Sequence, residues 1–352
     1  MDNNTPQNNK YNLTMAATTT AMTTSTASPH KRQKTSERRS YFLRSSVEPI
    51  FSSTRSIDHI PVEVWKEHIC QKFLNLKELS ILRRCHTFFE KYWQNVMKQN
   101  VIRVPHGCPT LEKAMDLAVV FSEKKEYTEV DPLKIQMDKG VHDIAGDSDG
   151  VMDVTCSHIT FVGKGKDQTT ICGGFYVHNQ QNVKFEGLAV TNSGGDGLEL
   201  VGSKTSVDML KCVVKECSGD GMALRSGATV TATQCEFTEN RACGVGCLGA
   251  NTKVRLNDCT MHQNVSDGLM ACHLAVVDLH GTKTNIHSNK RCGILADVHA
   301  KVNIHLPSQH NTTHDNVRKD REQWDGGSIA NINADGTFTH VIVDDEEDDD
   351  FI

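Results

Sequence analysis

The chain has 352 residues, room for two domains with tails, and a formal net charge of −6. Seven acidic residues fall in one run, Asp344–Asp350, so the remainder is near neutral and gives no charge argument for nucleic acid or an anionic membrane as partner. The longest apolar stretches, such as Leu117–Phe121, fall far short of the roughly 20 residues that span a bilayer.

The start, Met1–Lys10, is polar and lacks the apolar core of an export signal. The 13 cysteines, an odd number, then read as reduced thiols of a cytoplasmic or nuclear protein. Residues 1–56 read as a disordered tail, dominated by Thr and Ser without apolar periodicity. Its basic cluster (Lys31, Arg32, Lys34, Arg38, Arg39) suits either nuclear import or a solvated charge run. Residues 341–352 form an acidic tail that self-repulsion keeps extended.

Residues 57–100 carry apolar residues at helical spacing: Leu76, Leu79 and Leu82, continued through Cys85 and Phe89. Pro61 suits the first turn of a helix, with Glu63 nearby at the positive end of the helix dipole. Two or three short helices are expected. About 40 residues hardly bury a core of their own, so they lean on a partner or on the next domain. The segment resembles an F-box: Ile60-Pro61-Val62-Glu63-Val64-Trp65 opens it, Ile69 and Phe73-Leu74 follow, then Leu79, Leu82, Arg84-Cys85-His86, Phe88 and Tyr92-Trp93. It departs from the family pattern by one extra residue before Leu79, which shifts the second helix. The resemblance implies that Ile60, Pro61, Val64, Trp65, Ile69, Leu74 and Leu79 bury against a Skp-type adaptor. Read without it, the segment is a helical cap on the β-structure of residues 101–340.

That β-structure sits behind one further helix. Thr110 is a plausible N-cap, and Leu111, Ala114, Met115, Leu117 and Ala118 form the apolar face. Leu133–Met137 alternates as a strand does, with a turn at Gly140, and Ile159–Gly163 and Thr170-Ile171 follow as short strands. These segments resemble the first coils of the pectin-lyase-like superfamily.

A repeat then runs through the chain. Gly197, Gly221, Gly244, Gly268 and Gly293, each ahead of a short apolar strand, are spaced by 24, 23, 24 and 25 residues. Cys212, Cys235 and Cys259 keep the same period, as do Asn240, Asn264 and Asn289, each four residues before its glycine. A period near 24 is one coil of a solenoid. The fold class is therefore mainly β, a right-handed parallel β-helix behind a small all-α unit. The cysteines are expected to stack inward as buried thiols, the asparagines to form a ladder at a turn, and the glycines to supply turn conformations closed to residues with a Cβ.

Asp196, Asp220 and Asp267 each precede a repeat glycine. They are either turn residues or an acidic site, in which Asp196 and Asp220 lie one coil apart at glycosidase-like separation. The turn is preferred, since the residue sets of polygalacturonases, pectin methylesterases and pectate lyases are absent as groups. Cys243-x3-Cys247 lacks a second pair at zinc spacing, and His299, His305, His310 and His314 are spaced to suit no single face. No catalytic residue, metal site or cofactor is expected. Joined to a β-helix, the F-box resemblance implies a substrate receptor of an SCF-type cullin-RING ubiquitin ligase, with the β-helix holding the target protein. The alternative is a polysaccharide-active or carbohydrate-binding β-helix with no ligase role.

Overall fold

The computed structural model describes residues 98–144, 150–305 and 312–340. The expected tails and the F-box-like residues Ile60, Pro61, Val64, Trp65, Ile69, Leu74 and Leu79 lie outside the described residues. Helix α1, Leu111–Ser122, starts where Thr110 turns extended and its Oγ1 accepts from the Lys113 N–H at 3.4 Å. Leu111, Ala114, Met115, Leu117, Ala118 and Phe121 form its buried side, and it packs beside the strand Val101–Val104. None of the helices among the described residues is long and apolar enough to cross a membrane.

Everything beyond α1 is wound into three sheets. The first has eleven strands, from Val101–Val104 to Phe338–His340. The second runs from Val151–Val154 to Lys319–Gln323 and the third from Gly140–Asp143 to Thr312–His314, with eight strands each. Each coil gives one strand to each sheet, and every strand pairs in parallel with its equivalents one coil away. The exception is Phe338–His340, which turns back antiparallel on Ser328–Ile332.

The register stacks like on like. In the first sheet Val183, Val207, Val230, Val254, Val277 and Val302 form one inward column. In the second the inward column is Leu198, Met222, Val245, Leu269 and Ile294. The columns of the second and third sheets end in polar groups, while Val302 of the first is followed by Ile329. Ile294 is followed by Arg321 and Ile286 by Thr313, and the Arg321 Nε donates to Thr313 Oγ1 at 3.0 Å. A solenoid's last coil has no neighbour to bury against, and a polar end answers that.

Two further columns interlock. The Nδ2 of Asn240, Asn264 and Asn289 donates to the Oδ1 of the asparagine one coil on, at 3.0, 2.9 and 2.9 Å, ending on Asn316. The same Oδ1 atoms accept the backbone N–H of the preceding asparagine, so all stay satisfied though buried. Gly221, Gly244, Gly268 and Gly293 pack on this ladder, while Gly197 packs on Val214 and Cys217. A Cβ at Gly221 would lie 2.7 Å from Asn240 Nδ2 and 2.6 Å from the Gly244 carbonyl; at Gly268 it would lie 2.7 Å from Asn289 Nδ2. Left-handed backbone is therefore not the reason for these glycines: none of the five has a positive φ, and close approach excludes a side chain instead. Gly140, expected as a turn, opens the strand Gly140–Asp143.

Candidate functional site

A coil's inward positions are filled by its core, so chemistry is left to outward rows. On the second sheet one outward row reads Asp153, Tyr176, Glu199, Ala223, Gly246, Met270, Leu295 and Glu322. Beside it runs His178, Val201, Arg225, Leu248 and Cys272. The early coils of this face are thus aromatic and charged and the middle ones small or apolar, before the row ends on the buried Glu322. Tyr176 and His178 lie with ring centroids 6.1 Å apart, and Arg225 Nη1 meets Glu199 Oε1 at 3.1 Å on the next coil.

Asp220 joins this face. A Cβ added to Gly246 would lie 2.6 Å from Asp220 Oδ2, so that carboxylate oxygen occupies the space a side chain would take. Its other oxygen accepts from the Cys243 N–H at 2.8 Å. Burial raises the Asp220 pKa and Asp196 adds to the rise, against the Cys243 N–H and the Arg225 charge. Asp196 does the same for the coil before, its Oδ1 accepting from the Asp220 N–H at 2.7 Å. Asp267 is fully buried, with Oδ1 on the Cys292 N–H at 2.8 Å and Oδ2 at 3.6 Å from Arg291. All three aspartates therefore tie one coil to the next through a backbone amide. Asp220 keeps an oxygen on the second-sheet face, over Gly246 and within the influence of the Arg225 charge.

Cys212, Cys235 and Cys259 are buried, and their thiols reach backbone carbonyls such as Phe185 and Ala232 at 3.3 and 3.4 Å. Cys247 faces the core. Burial, with Asp220 close by, pushes the Cys243 thiol up to about 12. The described residues contain no group of three or more His, Cys, Asp or Glu placed to hold a metal ion.

Of the histidines singled out from spacing, His305 stands on the first sheet and His314 on the third, so they share no face, and His310 lies outside the described residues. His305 and His314 each stack instead with a histidine of a neighbouring coil. His262, His287 and His314 stack on the third sheet, with centroids 5.0 and 5.1 Å apart and planes within 6° of parallel. His262 Nε2 meets Glu236 Oε1 at 3.1 Å, and Lys166 binds the other Glu236 oxygen at 2.8 Å. His280 and His305 stack on the first sheet at 4.0 Å, with His305 on Asp278. The signal was present: each of the three third-sheet histidines stands two residues before a ladder asparagine.

Fold and faces together define a parallel β-solenoid with a packed interior and a chemically graded exterior. The family model for the right-handed β-helix region matches residues 147–261 and 173–343, more than half the chain, and the chain belongs to that family. Among solved structures it is similar to the pectate lyase Pel9A, at 12% identity over 56% of this chain and 66% of that one, with a TM-score of 0.35. It therefore spans a little under two thirds of that enzyme's length. It is also similar to the A-module of the Azotobacter vinelandii mannuronan C-5 epimerase AlgE6, at 13% identity over 64% and 94%, with a TM-score of 0.30. A third is ORF18 of Geobacillus virus E2, at 8% identity over 72% and 63%, with a TM-score of 0.32. The search of curated proteins returned no match.

Proposed function

We propose that the β-helix is a non-catalytic carbohydrate-binding solenoid whose ligand lies across the coils on the outer face of the second sheet. The observation that supports this is an arrangement in which Tyr176 and Glu199 stand in one row and Arg225 in the row beside it, with Asp220 close by. It sets an aromatic ring and ionic hydrogen-bonding groups on successive coils of a rigid face. Coils repeat every ~4.8 Å, a spacing that suits a polymer presenting like groups along its length. Aromatic rings and a few fixed polar groups are the usual lining of small-molecule sites. Catalysis is not part of the reading, because Asp196 and Asp220 each spend an oxygen on a backbone N–H and Glu199 is paired with Arg225. The test is titration with neutral and acidic polysaccharides. Tyr176→Ala and Arg225→Ala should each weaken binding by about tenfold, the value of one charge-assisted contact. No binding by the unaltered protein overturns the reading, and bond cleavage lost in Asp220→Asn would make the protein an enzyme.

A second reading is favoured by the F-box-like sequence from Ile60 to Trp93. On it the protein is a receptor of a cullin-RING ubiquitin ligase, bound to a Skp-type adaptor and cullin complex, with a target protein along a β-helix face. Such a receptor breaks no bond and raises the local concentration of target lysines near the transferring enzyme. Pro61→Ala with Trp65→Ala should abolish co-purification with the adaptor while the β-helix stays folded. An unaltered chain that never captures the adaptor removes this reading.

A further inference from the structure

A second candidate site lies at the opposite end of the solenoid from the histidine stacks. The last turn of α1 and the segment after it (Val119, Ser122, Glu123, Lys125, Glu126, Tyr127) face the turn Thr155-Cys156-Ser157 across a cleft of about 410 Å³. That volume falls within the range of small-molecule pockets, roughly 300–1,000 Å³. One lining residue stands out. Tyr127 is 5% exposed, and its hydroxyl is the one buried side-chain polar atom among the described residues that has no hydrogen-bond partner. Buried hydroxyls are almost always paired, so an unpaired one at a cleft asks for a partner from outside.

The neighbours narrow what that partner is. Ser122 Oγ donates to the Ala118 carbonyl at 2.9 Å, and Ser157 Oγ donates to Gln180 Oε1 at 2.8 Å, so both hydroxyl protons are spent. Lys125 Nζ is held by Asn100 Oδ1 and Asp131 Oδ2, each at 2.7 Å, and lies 5.2 Å from the Tyr127 ring centroid, fixing that ring. Cys156 is buried, and burial raises its pKa, so it lines the wall as a neutral thiol. Of the buried hydroxyls here, that of Tyr127 is the one left without a partner. Val119, 37% exposed, adds an apolar surface, and the exposed carboxylates Glu123 and Glu126 disfavour an anion.

We propose that the cleft between α1 and the Thr155–Ser157 turn binds a small neutral or monocationic organic molecule. It lays an apolar body on Val119 and Cys156 and offers an oxygen or nitrogen acceptor to the Tyr127 hydroxyl.

Three probes test it on the full chain by ¹⁹F line broadening: 4-fluorobenzamide, 4-fluorobenzylammonium and 4-fluorobenzoate. The amide should bind saturably and more tightly than the ammonium, which lacks an acceptor, and the benzoate should bind least. Tyr127→Phe, which removes only the oxygen, should weaken the amide about tenfold and leave the ammonium unchanged. Val119→Trp, on the exposed wall, should block both and serves as the readout should the tyrosine variant fail to fold. Saturable binding by none of the probes, benzoate binding as tightly as the amide, or amide binding unchanged in Tyr127→Phe or Val119→Trp would each overturn the proposal.

Discussion

The early and later coils solve the same packing problem with different side chains. Between Ile159 and Glu186 the interior is filled by Phe161, Phe175 and Phe185, whose ring centroids lie 4.9 to 5.3 Å apart in one stacked pair and two tilted contacts. From Cys212 to Asn316 it is filled by stacked aliphatic residues, methionines and cysteines, with Phe237 as the one buried ring among the described residues and the asparagine ladder running along one corner. The first arrangement depends on shape and volume. The second depends on repetition, since each asparagine is satisfied only because another stands one coil away. A coil of one backbone geometry can thus be held by a unique cluster or by a repeated one, and only the repeated one leaves a period in the sequence.

Substitutions in the two regions should separate these modes. Phe185→Ala removes a fully buried ring from the cluster and should cost about 3–5 kcal/mol in denaturant unfolding. A loss no larger than that of the asparagine substitution would mean that the aromatic cluster is not what holds the early coils. Asn264→Ala removes the Oδ1 that accepts from the Asn240 Nδ2 and backbone N–H, and takes from Asn289 Oδ1 its side-chain donor while the backbone N–H of residue 264 remains. Its cost should be about 1–3 kcal/mol, and amide exchange should quicken in the neighbouring coils on both sides. Cys235→Ala removes a buried thiol whose Sγ donates to the Thr233 carbonyl at 3.4 Å, and about 1 kcal/mol is expected.

Acid gives a smaller effect confined to the later coils. Burial, then His305 and Arg255, lowers the His280 pKa from 6.5 to about 4, with Asp278 opposing. A base whose pKa falls on folding leaves stability whole above its unfolded pKa. Stability is then lost as pH drops from about 6.5 towards 4, because the unfolded chain takes up the proton first. His287 shifts in the same direction through burial and its stacked neighbours. Melting temperature should therefore decline across that window, and His280→Gln should flatten part of the decline. An unchanged pH profile in that variant would show that the stack carries no such linkage.

The 24-residue period, the helix behind Thr110 and the strand positions were legible because each rests on local spacing. A side chain that must meet its own kind one coil away has to recur at one interval. The grouping of Gly, Cys and Asn was legible for the same reason, whereas the reason for the glycines was not. The sequence suggested an unusual backbone, but the packed coils show a carbonyl and an asparagine amide where a Cβ would sit. The second-sheet row and the histidine stacks were harder to find, since a residue's face depends on which strand it joins and in what register. Arg225 and Glu199, 26 residues apart, meet only because one coil sets Arg225 beside Val201, two residues on from Glu199. Tyr127 was invisible for a further reason. Whether a hydroxyl has a partner depends on α1 and the Thr155–Ser157 turn coming together, and nothing in the residues around position 127 encodes that meeting. The chain thus carried its architecture in local repetition, while contact across the coils decided which groups stand free on its surface.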